Sequence, residues 1–98
     1  MNLLRSTLPL LALASSVCLA ADDIQPARLY QENCLTCHGP DRLGAMGPAL
    51  LPQNLERLKK AEALNVVRNG RAATQMPAFS PKLSAEQTQA LVDYLYTA

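Results

Sequence analysis

The apolar positions along this 98-residue chain change character twice. Residues 8–20, LPLLALASSVCLA, form a short apolar run without a charge. Beyond it, apolar residues recur at helical spacing in segments separated by two breaker-rich loops. The first segment starts near Gln25, with Pro26 in its first turn, where a missing N–H costs nothing. Asp22 or Asp23 is expected to cap it. Leu29, Tyr30 and Asn33 share one face, and the helix is expected to run into CLTCH. Residues 39–52, GPDRLGAMGPALLP, carry three glycines and three prolines and read as a loop. Asn54 is placed to cap a short helix, LERLKK. A further helix, AEALNVVRN, ends at Gly70, a suitable C-terminal cap. No breaker separates the two, so one continuous helix is also open. After the loop RAATQMPAFSPK, the sequence SAEQ predicts a capping box, with Ser84 as N-cap and Gln87 at the third helical position. Leu83 is expected to staple the start of this last helix. Its apolar face is read as Leu91, Tyr94 and Leu95, with Thr88 or Ala90. No stretch alternates like a strand, so the fold class is all-α.

The start of the chain is not part of that domain. A lone positive charge at Arg5, the apolar run and the small residues before Asp22 match a secretory signal peptide. The run falls short of the roughly 20 residues needed to span a bilayer. A retained anchor is the alternative, and a lipoprotein signal is disfavoured by Val17 before Cys18. The division is therefore residues 1–20 as a cleavable signal and residues 21–98 as the domain. Cutting after Ala21 is nearly equivalent. Export places the mature chain in the periplasm and removes Cys18, leaving Cys34 and Cys37.

Charge then narrows the partners. The full chain has nine basic and eight acidic side chains. Removal of Arg5 leaves eight of each, a formal balance that argues against nucleic acid. Only Lys59, Lys60 and Lys82 supply lysines, too few for a docking ring. Four aromatics remain: Tyr30, Phe79, Tyr94 and Tyr96. A domain this small buries little surface and needs a staple or a bound group. A CxxC pair closes too short a loop to serve as that staple.

The chemistry sits in YQENCLTCHGP. Structural zinc takes four ligands, and Cys34, Cys37 and His38 are the only cysteine and histidine side chains of the mature chain. A thioredoxin-like dithiol sits at a strand-to-helix junction, and no strand is expected. A plain disulfide leaves the adjacent histidine unexplained. C-x-x-C-H is the attachment signature of c-type haem. Cys34 and Cys37 would form the two thioethers, and His38 would present Nε2 to the iron. The haem would also supply the missing core. Met with His at the iron characterises electron carriers. Met76, in TQMPAF, is far enough along the chain to wrap to the opposite face, whereas Met46 follows His38 too closely and is read as core filler. The Pro48 carbonyl is a candidate partner for the other His38 nitrogen, since ligating histidines donate that N–H to a carbonyl or carboxylate.

CLTCHG, MGPAL, RNGRAATQMPAF and the tyrosine-bearing last helix resemble small class I cytochromes c over nearly all of residues 21–98. The resemblance implies the class I fold, 3–5 helices wrapped around one covalently bound haem. It implies that N- and C-terminal helices cross near one haem edge, with Tyr30 and Tyr94 as the aromatics of that crossing. Ala27 is the candidate small residue there. The family's proximal histidine, loop proline and distal methionine map onto His38, Pro48 and Met76. A narrower resemblance joins CLTCHGPDRLGAMGPALLPQNLERLKKAEAL to the cytochrome c segment found with the haem d1 nitrite reductase system. That group includes a stand-alone cytochrome c and the c domain of a d1 maturation protein. The chain ends after the c domain, so nitrite reduction by this chain itself is not expected.

Four functions compete. The first is a periplasmic electron carrier, not an enzyme, whose redox partner is a haem d1 nitrite reductase. Its contact surface would be the thioether edge near Cys37, ringed by Leu43, Ala45, Pro77 and Ala78. The second is a redox role in haem d1 biogenesis beside the maturation protein, and a generic donor to a terminal oxidase is a further rival. The third is a ligand-binding haem sensor or peroxidase-like enzyme, which needs an open iron and is disfavoured by Met76. Glu56, Arg57, Lys59 and Lys60 read as a solvated helix face. Arg68 and Arg71 are read as surface residues or partners of haem propionates.

Overall fold

The computed structural model describes residues 23–98. The expected signal segment, residues 1–20, lies outside the described residues, as does Asp22. Four α-helices follow in order: α1 (Pro26–Asn33), α2 (Leu35–His38), α3 (Lys60–Asn69) and α4 (Ala85–Leu95). Single turns of 3-10 helix occupy Pro40–Arg42 and Pro52–Asn54. No strand occurs among the described residues, and the all-α expectation holds.

Helix α1 begins where Pro26 fixes φ, so its N-cap is Gln25, which makes no side-chain cap bond. This corrects the expected aspartate cap. Asp23 lies two residues upstream of the cap and accepts instead from Gln25 Nε2 at 3.4 Å. Leu29 and Tyr30 are buried, while Asn33 Nδ2 donates back to the Leu29 carbonyl at 3.0 Å. Ala27 is exposed and therefore is not the crossing residue. α1 packs on α4, and the Tyr30 and Tyr94 rings meet with centroids 6.4 Å apart and planes tilted by 60°. This tilted geometry suits the quadrupoles of both rings.

The expected LERLKK helix does not form. Leu55 is buried and Leu58 half-buried, and the Leu58 carbonyl accepts from the Tyr96 hydroxyl. Lys59 is extended and becomes the N-cap of α3. Docking of this segment onto α4 thus overrides its helical propensity. Glu56, Arg57, Lys59 and Lys60 are exposed as expected, but on a turn leading into α3 rather than on a helix face. Lys60 bridges to Asp93 of α4 at 3.3 Å. α3 ends at Gly70, with φ 72°.

Helix α4 carries the predicted capping box. The Ser84 hydroxyl accepts from the Gln87 N–H at 3.1 Å, and the Gln87 side chain accepts from the Ser84 N–H at 2.8 Å. Leu83 is buried just outside. The buried face is Thr88, Leu91, Val92 and Leu95. Thr88, not Ala90, completes it, and its hydroxyl is satisfied by the Ser84 carbonyl at 2.9 Å. Val92 was absent from the expected face, and Tyr94 sits half-buried at its edge. Leu91, Val92 and Leu95 join Leu29, Tyr30, Leu55, Ala63, Val67, Phe79 and Leu83 in one core.

Leu91 is fully buried. Leu91→Ala is expected to cost about 2–5 kcal/mol through lost burial and the cavity left behind. Ser84→Ala should cost about 1 kcal/mol through the lost cap. Denaturant unfolding of both variants checks this order.

Candidate haem site

The attachment motif is a single helical turn. Helix α1 breaks at Cys34, whose φ of −118° and ψ of −27° differ from those of a regular helix. The Cys34 carbonyl then receives the N–H of Cys37 at 3.2 Å and of His38 at 2.9 Å. Cys34 thereby caps α2, Cys37 follows one turn on, and His38 is its last residue. Both cysteines are free and half-buried. Burial, then the neighbouring Cys37, pushes the Cys34 thiol up to about 11. A redox-active dithiol needs its thiol lowered, so this site favours a neutral sulfur.

The loop after His38 folds back beneath it. Gly39 leaves α2 at φ 81°, and a Cβ there would lie 2.4 Å from the Gly44 carbonyl oxygen. The Gly44 N–H donates to the His38 carbonyl at 2.7 Å, and the Gly47 N–H to the Cys37 carbonyl at 2.6 Å. Gly47 lies close to the His38 ring, where a Cβ would come within 3.1 Å of Cε1 and Nδ1. The same loop brings the Pro48 carbonyl to 2.7 Å from His38 Nδ1. With Nδ1 as donor, Nε2 is the nitrogen free to bind a metal. From the other side, the Tyr30 hydroxyl donates to the Gly39 carbonyl at 2.6 Å. Burial first, then the nearby Cys34 and Tyr94, raises the pKa of this hydroxyl and keeps it a donor.

Met76 is half-buried against the core. Its loop is tied to the end of α3: Phe79 N–H donates to the Val67 carbonyl at 3.0 Å and Ser80 N–H to Arg68 at 3.2 Å. Arg71 N–H donates to the Met76 carbonyl at 3.3 Å. Thr74 Oγ1 accepts from the Met76 N–H at 3.2 Å and donates to the Arg71 carbonyl at 2.8 Å. Met46, expected as core filler, is instead 78% exposed. Its loop spends its inward contacts on glycine and main chain, which leaves the side chain outside. Leu43 is 64% exposed beside it, and Ala45, Pro77 and Ala78 are also exposed. Arg68 and Arg71 are exposed as well.

The donor set fits a haem. Among the described residues no group of three or more His, Cys, Asp or Glu side chains could hold a bare ion. A porphyrin brings four of the iron's ligands itself, so His38 and Met76 would suffice. Leu35, Leu50, Leu58 and Leu64 are packed against the core yet only partly buried. The polypeptide alone leaves these side chains incompletely covered, as a wall for a flat apolar group would be. The sequence reading passed over these leucines, because their spacing serves no single helix face. It also passed over Gly47 as a seat for the ring, since a glycine in a glycine-rich loop carries no distinguishing signal.

A family model described as cytochrome c oxidase, cbb3-type, subunit III matches residues 21–95. The chain is 51% identical over 70 residues to the dihydro-heme d1 dehydrogenase of Pseudomonas aeruginosa, covering 71% of this chain but only 14% of that protein. It is 34% identical over 87 residues to cytochrome c55X of the same organism, covering 89% of this chain and 73% of the relative. Among solved structures, the c-type cytochrome NirC matches with a TM-score of 0.69 at 36% identity, over 74% of this chain and 85% of that one. The dehydrogenase NirN matches with a TM-score of 0.74 at 49% identity, over 76% of this chain and 16% of that one.

Gly70 makes the methionine loop testable. Its φ is 72°, and a Cβ there would lie 2.7 Å from the Met76 carbonyl oxygen. Gly70→Ala is expected to destabilise the protein by at least the roughly 1–2 kcal/mol of a left-handed residue. Because the loop must shift to relieve the clash, the Phe79 and Ser80 amides should lose hydrogen-exchange protection.

Proposed function

The chain belongs to the cytochrome c family, with the class I fold, and from that premise we propose that it is the periplasmic electron carrier of a haem d1 nitrite-reducing system. It carries covalently bound haem c and transfers electrons. In this reading Cys34 and Cys37 would hold the haem, and His38 and Met76 would supply the protein ligands to its iron. The Pro48 carbonyl orients His38. The observation that carries the reading is the 2.7 Å approach of that carbonyl to His38 Nδ1, at the end of the one-turn Cys34–His38 helix.

Haem supplies reversible one-electron chemistry at its iron. The chain's residues do the rest. The Pro48 carbonyl holds the His38 tautomer and ring plane. Gly70 and Thr74 fix the loop that presents Met76. Leu35, Leu50, Leu58 and Leu64 would exclude water from the group, which tunes its potential together with the ligand residues. Leu43, Ala45, Pro77 and Ala78 offer an apolar contact surface. The assignment of partner rests on the likeness to cytochrome c55X and NirC, which spans most of both chains. Among the described residues no helix is long and apolar enough to cross a membrane.

A second reading has its own observation. The strong identity to part of the dihydro-heme d1 dehydrogenase favours a redox role in haem d1 biogenesis. The chain spans about a seventh of that relative, so the dehydrogenation itself is assigned to a partner. Reduced chain mixed with purified haem d1 nitrite reductase should be oxidised within the mixing experiment. Faster reduction of the oxidised chain by the maturation enzyme and its substrate would instead establish the second reading.

Two further outcomes follow. Carbon monoxide titration of the reduced protein should give no spectral shift, because Met76 closes the iron. Met76→Ala should bind carbon monoxide readily. Tight binding by the unaltered protein would move sensing or catalysis ahead of electron transfer. Residues 21–98 carry eight basic and eight acidic side chains, and electrostatic steering scales with charge. The transfer rate to the partner is therefore expected to fall only slightly with ionic strength, and a steep fall would exclude apolar docking.

A further inference from the structure

Arg42 is a buried cation, only 8% exposed. Its Nη1 donates to the carbonyls of Tyr94 at 3.0 Å, Leu95 at 3.3 Å and Thr97 at 3.0 Å. The guanidinium also lies 4.7 Å from the centroid of the Tyr94 ring. Among the described residues no carboxylate pairs with it. Its charge is met by the partly negative C-terminal end of α4 and by the face of an aromatic ring.

The backbone beneath this side chain is strained. Asp41 and Arg42 have φ of 56° and 62°, the left-handed region that side-chain-bearing residues avoid. Such strain persists where the surroundings over-determine it, and it clusters at functional sites. Here the Arg42 carbonyl accepts the Leu50 N–H at 2.9 Å. That bond closes the base of the loop spanning residues 42–50. Inside the loop lie Gly44 and Gly47, bonded to the His38 and Cys37 carbonyls, and Pro48, whose carbonyl meets His38 Nδ1. Arg42 therefore closes the base of this loop with its main chain and ties that base to α4 with its side chain.

We propose that Arg42 is a positioning residue for His38. By clamping the loop to the end of α4, it sets where the Pro48 carbonyl sits and so the orientation of the imidazole. The inference rests on the reading of His38 as the proximal ligand held by Pro48. A merely stabilising arginine would secure α4 and leave the histidine bond unchanged.

The test follows the Nδ1 proton of His38 by nitrogen-15 NMR in the reduced holoprotein. Its exchange with solvent reports the Pro48 bond directly. Arg42→Gln removes the charge, Arg42→Lys keeps charge and donors, and Leu83→Ala destabilises the core away from the loop. Exchange is expected to quicken about tenfold in Arg42→Gln, the scale of one hydrogen bond's net contribution. Arg42→Lys should fall between Arg42→Gln and the unaltered protein, and Leu83→Ala should match the unaltered protein. The proposal is overturned if Arg42→Gln stays within about twofold of the unaltered protein, well below one hydrogen bond's worth. It is overturned equally if Leu83→Ala exchanges as fast. Should Arg42→Gln fail to assemble, Arg42→Lys carries the same criterion. An unprotected Nδ1 proton in the unaltered protein would instead refute the Pro48–His38 assignment itself, and this inference with it.

Discussion

The hydrogen bond between His38 Nδ1 and the Pro48 carbonyl is the constraint around which the proximal half of the molecule is arranged. To make it, a loop must double back on the helical turn that precedes it. That is possible because Gly39 exits α2 in a conformation barred to other residues, and because Gly47 can lie against the imidazole. Pro48 itself adds a carbonyl that no helix ladder claims. The turn above is equally constrained: a break at Cys34 ends α1, and the fresh turn puts both cysteines and the histidine in sequence along α2.

The distal half depends on a similar economy of main-chain bonds. Gly70 ends α3 and lets the chain pass under the Met76–Ala78 segment, where any side chain would collide. Phe79 then returns to the Val67 carbonyl and buries its ring. Met76 is thus held from both sides by residues of its own loop and by the end of α3. The helices that precede the two candidate ligands, α1 before the His38 turn and α3 before the Met76 loop, both pack on α4. Fixed ligands are what an electron carrier requires, since transfer is fast only when the ligand geometry changes little between oxidation states.

How much of this was legible in the sequence varied with the range of the interaction. The capping box at Ser84, the stop at Gly70 and the start at Pro26 are local devices, and each was readable from its own few residues. The attachment turn was readable because CxxCH encodes its own geometry. LERLKK was misread because its fate is decided by Tyr96, 38 residues away in the Tyr96–Leu58 contact. Met46 was misread because apolar character alone does not say which way a loop faces. Ala27 was assigned to the helix crossing by family analogy, without a fixed register, and a one-residue offset moves a helical side chain by a quarter turn or more. Arg42 gave no signal at all: its partners are main-chain carbonyls more than fifty residues on, and no pattern of side chains announces them.

Arg42 also bears on why a chain so short on aromatics can hold a large group steadily. A buried cation is costly unless fully compensated, and a leucine at the same place would pack against α4 without that expense. What leucine cannot do is choose a direction. Three carbonyls at one helix end fix the guanidinium in orientation as well as position. Through two left-handed residues, that orientation is transmitted to the loop beneath His38. The protein thereby uses a directional polar contact where a larger core would rely on packing. The arrangement joins the C-terminal helix to the proximal loop at Tyr94, the same residue whose ring meets Tyr30 and so links that helix to α1. Both links converge on one end of α4, so that end of the helix is tied to α1 before the attachment turn and to the loop after it.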